Sequence, residues 1–440
     1  MRMKPKTFDM PGESAEIPRW RPLTLIGFRF VFLYLSLFCL ATQISGSLLV
    51  VPGVNFRGFG PLWPMREITD WVAARIFGLA SPPSYEAYGG ETIFFWVQLC
   101  WVFVLSAAGT ALWSAFDRRQ NYVTLHKWFR ISIRMALAAS MFEYGMTKVI
   151  PVQFARPTLN TLVTPVGNLS LSNILWTSIG AAPAYETFTG CAEMLAGILL
   201  LTARTTTLGA LICLADMSQV FVLNMTYDIG LKQISFHLIL LSLVLLAPEF
   251  PRLVSFFFFP ERNAGPSREP ELFRRPQWNR LAMFLQIGIG VYLIGMQTLV
   301  NWNYRHAAGD ESPRSPLYGI WKVDELSIDA ARTVPALADY DHRWRRVIFD
   351  TPNAVAFQRL DDSFARYGAS IDVYGNAIRL TRPLSKKWSA NFSYQRTSPD
   401  RMILDGEMDD HKIHLELELV DFDTFRLLNS GFRWIRPDEQ

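Results

Sequence analysis

Apolar residues fall along the chain in two patterns. Residues 23–303 contain long unbroken apolar runs, and residues 317–440 contain short alternating ones. Crossing a bilayer takes a helix of roughly 20 apolar residues. Seven stretches reach or approach that length: 23–51, 92–115, 131–150, 185–203, 206–226, 231–247 and 279–303. "LVSFFFFP" at 253–260 is too short to span and reads as an interfacial segment. Two loops on one side are long, 52–91 and 151–184. Each contains a candidate surface helix, "DWVAARIFGL" and "LSNILWTSIG", serving as a cap of the bundle or a lid over a site.

After a polar linker at 304–316, apolar and polar residues alternate with period 2. "WRRVIFD", "NAVAFQRL", "GASIDVYG", "NAIRLTR", "SANFSYQ", "RMILDGEM", "HKIHLELELV" and "FRWI" read as strands, separated by Tyr-Gly-Asn, Ser-Pro-Asp and Asp-Gly turn signals. Short strands at regular spacing predict an antiparallel meander closed as a small barrel or sandwich over 317–440. "YGIWKVD" and "GFRWIR" resemble the ends of a lipocalin-type barrel. In that family a Gly-x-Trp on the first strand packs near an Arg on the last. Gly319 and Trp321 match it, and Arg433 is the partner the resemblance implies.

Charge matters here by position more than by sum. A net charge of +4 excludes an argument for nucleic acid as a partner. Lys and Arg set the orientation of membrane proteins. They number 16 on the side of residues 1–22 and 5 in the opposite short loops. The count predicts a cytoplasmic tail, a multi-pass inner-membrane protein, and a β domain outside. The polar lead before the first apolar run exceeds that of a signal peptide, so that run reads as a transmembrane helix. Cys39, Cys100, Cys191 and Cys213 are scattered through apolar runs. That spacing argues against disulfides, a zinc site or a thiol redox pair, and no metal site is expected.

Polar residues inside the spans carry the candidate chemistry. A charge at mid-bilayer costs ~3 kcal/mol even on the lenient insertion scale. The third span holds Glu143, Tyr144 and Lys148, and the fourth Glu186 and Glu193. The fifth holds Asp216, Gln219 and Asn224, and the sixth Lys232, Gln233 and His237. Glu186, Gly190, Glu193 and Gly197 form one helical stripe, with glycines that let a neighbour approach. Glu143 and Lys148 stand ~140° apart on their helix, so each is expected to find its partner on another. These spans place their polar groups in the middle and outer depths, which predicts a polar pocket opening outward. Lys148, Glu186 and Lys232 are also near enough to helix ends to snorkel. Arg29 and Arg134 read as interfacial.

"FEYGMTKVIPVQF" followed by "CAEMLAGILLLTARTTTLGALI" resembles the DoxX-like membrane proteins. Gly145, Lys148, Phe154, Glu193, Gly197, Arg204 and Thr205 carry the resemblance, which covers about residues 130–248. It implies a four-helix core and an association with quinone-linked oxidoreductase assemblies. The stretch also resembles the HTTM domain of the vitamin K-dependent carboxylase family, in which the lysine matched by Lys148 is implicated as a base. The chain departs from that family at "CLADMSQVF", where a histidine is often found.

The expected fold is an α-helical membrane bundle of about seven transmembrane helices with a DoxX-like four-helix core, plus the C-terminal antiparallel all-β domain. Lys148, Glu193 and Asp216 are the expected proton-exchanging residues. Glu143, Tyr144, Gln219, Asn224, Gln233 and His237 are the expected ligand-binding residues. A quinone is the cofactor, and a redox or extracytoplasmic protein the partner, that such a reading implies. A non-enzymatic scaffold with a partner-binding β domain and a carboxylase-like enzyme with Lys148 as base remain the alternatives.

Overall fold

The computed structural model describes residues 19–51, 53–54, 56–85, 91–259, 271–329, 331–332, 343–382, 385–429 and 434–435. The chain forms two compact units. The first comprises Met1–Ser140, Gly197–Met217 and Gly230–Gly290; the second comprises Met141–Ala196, Ser218–Ile229 and Val291–Gln440.

In chain order the helices are α1 (Pro22–Ala41), α2 (Gln43–Leu48), α3 (Met65–Arg75), α4 (Ile93–Phe116), α5 (Val123–Val149) and α6 (Leu159–Val163). There follow α7 (Leu171–Gly180), α8 (Pro183–Leu200), α9 (Thr206–Thr226), α10 (Lys232–Leu246), α11 (Phe250–Phe258) and α12 (Pro276–Ala307). All seven expected spans are thus helical. Among the described residues five helices are long and apolar enough to cross a membrane: α1, α4, α9, α10 continued through α11, and α12. The protein is therefore a membrane protein. Helices α5 and α8 carry the charged positions that lower their apolarity.

Two boundaries differ from the expectation. The first span ends at Ala41, because Thr42 adopts an extended backbone. There Phe59 N donates to Leu40 O at 3.1 Å and Gly60 N to Ala41 O at 2.9 Å. Only glycine fits at Gly58, with φ +96°, since a Cβ would fall 2.2 Å from Thr42 O. The second concerns the "LVSFFFFP" segment. It continues α10 through a 3-10 turn (Ala247–Glu249), giving a 27-residue apolar helix, Lys232–Phe258. Pro260 lies outside the described residues.

The 52–91 loop caps the first unit. Val72 and Ala73 of α3 pack against Val97, Trp101 and Val102 of α4, and Trp101 Nε1 donates to Thr69 Oγ1 at 3.0 Å. "LSNILWTSIG" is α7, capped by Ser170, whose hydroxyl accepts from Asn173 N.

The β domain is a closed antiparallel barrel of eight strands. These are β1 (Gly319–Ile328), β3 (Trp344–Phe349), β4 (Ala354–Arg359), β5 (Phe364–Asp372), β6 (Ala377–Arg382), β7 (Ser385–Ser398), β8 (Arg401–Met408) and β9 (His411–Leu419). A two-residue β2 (Ala331–Arg332) pairs beside β1. Trp321 of β1 pairs with Val347 of β3 on one side and Leu419 of β9 on the other, which closes the ring. Alternation decides what fills it. Trp321, Phe357, Leu380, Met402, Leu404 and Leu415 are fully or nearly fully buried inside. Trp321 Nε1 donates to Leu317 O at 3.0 Å, and the guanidinium of Arg396 on β7 lies 5.6 Å from the Trp321 ring. An Arg does cover the Gly-x-Trp tryptophan, and it comes from β7; Arg433 lies outside the described residues. In "FRWI", Phe432 and Arg433 lie outside them too, while Trp434 and Ile435 form a bend, not a strand.

One turn signal is also reassigned. Asp405 and Gly406 sit within β8, where a Cβ on Gly406 would meet Asn391 O of β7 at 2.4 Å. The β8–β9 turn is made instead by Asp409 and Asp410, both at positive φ.

The 151–184 loop reaches the barrel. Leu159 of α6 packs on Ile320, Ile348 and Ala356, the outward residues of β1, β3 and β4. Leu159 N donates to Asp350 Oδ2 at 3.1 Å, and Gln358 Nε2, on a fully buried side chain, donates to Val163 O at 3.1 Å. Burial raises the pKa of Asp350 above the ordinary carboxylate range.

Candidate functional site

Two glycines create the site. A Cβ on Gly190 of α8 would lie 2.7 Å from Gly145 O, Lys148 Cβ and Val149 N of α5. A Cβ on Gly145 would lie 3.0 Å from Met194 N. The helices therefore touch backbone to backbone, as small residues allow in membranes. Glu193 follows Gly190 by nearly one turn, and Lys148 follows Gly145 by the same step. The contact thus brings the two charges face to face.

Lys148 Nζ donates to Glu193 Oε1 at 2.6 Å and to Oε2 at 2.7 Å. The two side chains are 9% and 1% exposed, so the pair is closed to solvent. Lys148 Nζ also lies 3.4 Å from Tyr144 O and 5.9 Å from the centre of the Tyr144 ring. Three of the expected site residues, Lys148, Glu193 and Tyr144, are therefore one cluster. Neither Lys148 nor Glu193 snorkels.

Glu186 does not snorkel either. It is fully buried, and its Oε1 accepts from Gln153 N at 3.2 Å and Phe154 N at 3.1 Å. That clamps the "IPVQF" turn beyond α5, where Phe154 packs on the Trp176 ring of α7 at 4.9 Å. Gly145, Lys148, Phe154 and Glu193 thus all belong to one packed corner.

His237 belongs to another setting. Its ring stacks on Phe38 with centroids 3.4 Å apart. Nδ1 lies 2.6 Å from the Gln233 carbonyl, which can only accept, so Nδ1 carries a hydrogen. Nε2 lies 2.8 Å from the Tyr34 hydroxyl. His237 is a satisfied bundle histidine. On α9, Asn224 is buried, Asp216 half-buried and Gln219 exposed; Glu143 is half-buried on α5.

Arg29 and Arg134 are buried within the protein. Arg29 donates to Tyr122 Oη at 2.8 and 3.0 Å, Ser114 Oγ at 2.9 Å and Asp117 O at 2.9 Å. It ties α1 to the α4–α5 connection.

Glu91 escaped the sequence reading because it lies before α4, outside any span. Its Oε1 accepts from Gln233 N at 2.7 Å and Ile234 N at 3.2 Å, satisfying the first turn of α10. Burial pushes its pKa up to about 7, against the opposing pull of those donors. A carboxyl whose folded pKa is raised binds more protons folded than unfolded. Its contribution is present below the unfolded value of 4.5 and lost as pH rises through about 7. Thermal stability of the purified chain should therefore fall from pH 5 to pH 8. Glu91→Gln should flatten that slope; an unchanged slope would refute the assignment.

Helices of this length and a closed antiparallel barrel define a class: membrane proteins with several long apolar helices and a β-barrel in the C-terminal part. No family model matches the chain. No solved structure matches it. It is 36% identical over 118 residues to a Bacillus subtilis (strain 168) protein named "Uncharacterized protein YwoB". The match covers 26% of this chain and 73% of that protein, and the chain belongs to the YwoB family.

Proposed function

We propose that the protein is a DoxX-like integral membrane protein whose Lys148–Glu193 pair receives the polar head of a lipophilic small molecule. A quinone is the molecule the family resemblance implies. The buried pair carries the reading. Desolvating two charges costs several kcal/mol per ion, and a hydrophobic replacement is often as stable. Ionisable groups kept inside a membrane segment point to function by default. Lys148 can donate to a quinone carbonyl oxygen, and Glu193 can exchange protons with it. The electrons of any reduction come from a redox partner protein.

Three contacts support a seven-span topology by parity. Leu159 meets Asp350, and α8, α9, α10–α11 and α12 lie between them in the chain. If α8 did not cross, three crossings would put these partners on opposite sides. Glu91 meets Gln233, with α4, α5, α8 and α9 between. With α8 crossing, a crossing by α5 keeps this pair on one side. Lys127 meets Glu271 across α5, α8, α9 and α10–α11, an even number again. With the basic tail in the cytoplasm, the 151–184 loop and the barrel lie outside. In a cysteine-free background, Asn173→Cys and Tyr374→Cys should label only from outside, and Arg118→Cys and Arg204→Cys only from inside. Labelling of positions 173 and 374 from opposite sides would contradict the topology.

A second reading, a membrane scaffold, is favoured by the filled barrel interior, which leaves its outer surface as the contact face. Titration of a short-tailed menaquinone into the full chain in nanodiscs separates the two. The first reading expects saturable binding, weakened at least tenfold by Glu193→Gln. Absence of saturable binding, or binding indifferent to that change, favours the scaffold.

A further inference from the structure

The chain leaving α5 covers the end of the α5–α8 seam that holds Lys148. Residues 151–158 run without helix or strand from α5 to α6 and form a strap. Thr147, beside Lys148, offers its carbonyl to Val152 N at 3.0 Å and Gln153 N at 3.1 Å. Glu186 Oε1 accepts from Gln153 N and Phe154 N, and Glu186 is 0% exposed beneath them. Lys148 acts on Glu186 electrostatically, so the covered carboxylate stands next to the buried pair. Helix α7 backs the strap: a Cβ on Gly180 would fall 2.2 Å from Ala155 O.

The far end of the strap is held from elsewhere. Arg156 N donates to Asp310 Oδ1 at 3.2 Å, and the Arg156 side chain pairs with Asp310 Oδ2 at 3.1 Å, just beyond α12. Leu159 N donates to Asp350 Oδ2 and Gln358 Nε2 to Val163 O, each at 3.1 Å. Leu159 is 2% exposed against Ile320, Ile348 and Ala356 of the barrel. Helix α6 has only five residues. Isolated helices shorter than roughly 12–15 residues are marginal in water. Its Thr158 cap and the barrel therefore hold α6 in shape. Docking and helix formation are one event, an order–disorder element with two states.

We propose that α6 is a latch. Docked on the barrel, it draws the strap over Glu186 and keeps water from the Lys148–Glu193 pair. Undocked, it melts, the strap lifts from Glu186, and the pair opens to water. The barrel thereby controls access to a site to which it contributes no side chain. Pro151 and Pro157 stiffen the strap, so a movement at Leu159 is carried to Gln153 and Phe154. The latch concerns access alone and is independent of what Lys148 binds.

The test is labelling of the full chain in nanodiscs with a water-soluble acetylating reagent, read by peptide mass spectrometry. Lys412, exposed on β9, is the internal standard. In the wild type Lys148 should react far more slowly than Lys412. Leu159→Asp, which sets a charge in the apolar contact beside Asp350, should speed Lys148 at least tenfold and leave Lys412 unchanged. Hydrogen exchange should rise over residues 152–163 and stay slow in β8, which shows that the barrel remains folded. Asp350→Ala, a milder release, should act in the same direction and serves if Leu159→Asp does not fold. Lys148 reacting as fast as Lys412 in the wild type would overturn the latch. So would a released α6 with Lys148 still protected, or an α6 whose exchange neither variant changes.

Discussion

Lys148→Met is expected to destabilise the protein by about 3–5 kcal/mol, and Lys148→Met/Glu193→Leu to recover most of that loss. The single change leaves the Glu193 carboxylate 1% exposed with its ammonium partner removed. The cost is that of an uncompensated buried charge, not the net worth of the pair. The double change replaces both ions by apolar side chains of similar reach. Thermal unfolding in detergent, run as a double-mutant cycle with Glu193→Leu, measures the coupling. A single variant as stable as the wild type would mean that water or another group reaches Glu193. A double variant as unstable as the single one would mean that the pair holds the α5–α8 contact on its own.

Gly190→Leu is expected to abolish the folded protein, or to leave a fraction that unfolds far below the wild-type temperature. The first side-chain carbon alone would come within 2.7 Å of Gly145 O and Val149 N, and both are backbone atoms. No rotamer relieves that contact, so α5 and α8 must separate. Overpacking costs about 1–3 kcal/mol where neighbours can shift, and here the shift also pulls Lys148 from Glu193. Size-exclusion profiles of tagged protein from membranes give the yield. Normal yield and melting for Gly190→Leu would show that the helices are not in backbone contact.

The two halves of the chain were unequally legible. Period-2 alternation located the strands from β3 to β9, because one face of each meets a filled interior. "LSNILWTSIG" gave α7 from end to end, its boundary written by the Ser170 cap. The break after Ala41 was not legible, since the run remains apolar and Gly58 enforces the break from a distant loop. Asp405–Gly406 imitated a turn because a glycine needed for strand approach is the same letter as one needed for a bend.

The site was legible to a similar degree. The Glu186–Gly190–Glu193 stripe marked the contact face of α8, and the cost of a buried charge marked Lys148 as needing a partner. Spacing placed Glu186 near a helix end, and it lies in the first turn of α8, but spacing cannot give its burial. It also cannot show backbone donors. Glu91 and Glu186 both satisfy main-chain N–H groups far along the chain, and nothing in their local patterns announces it. His237 looked like chemistry, yet its partners on α1 and in its own helix account for it.

The Lys148–Glu193 corner is the proposed place where a lipophilic molecule is held. Its most direct test is mass spectrometry of the lipid extract from the purified chain, beside that of the stable Lys148→Met/Glu193→Leu variant. A quinone retained in near-stoichiometric amount by the wild type and absent from the variant is expected. Equal quinone in both samples, or none in either, would contradict it.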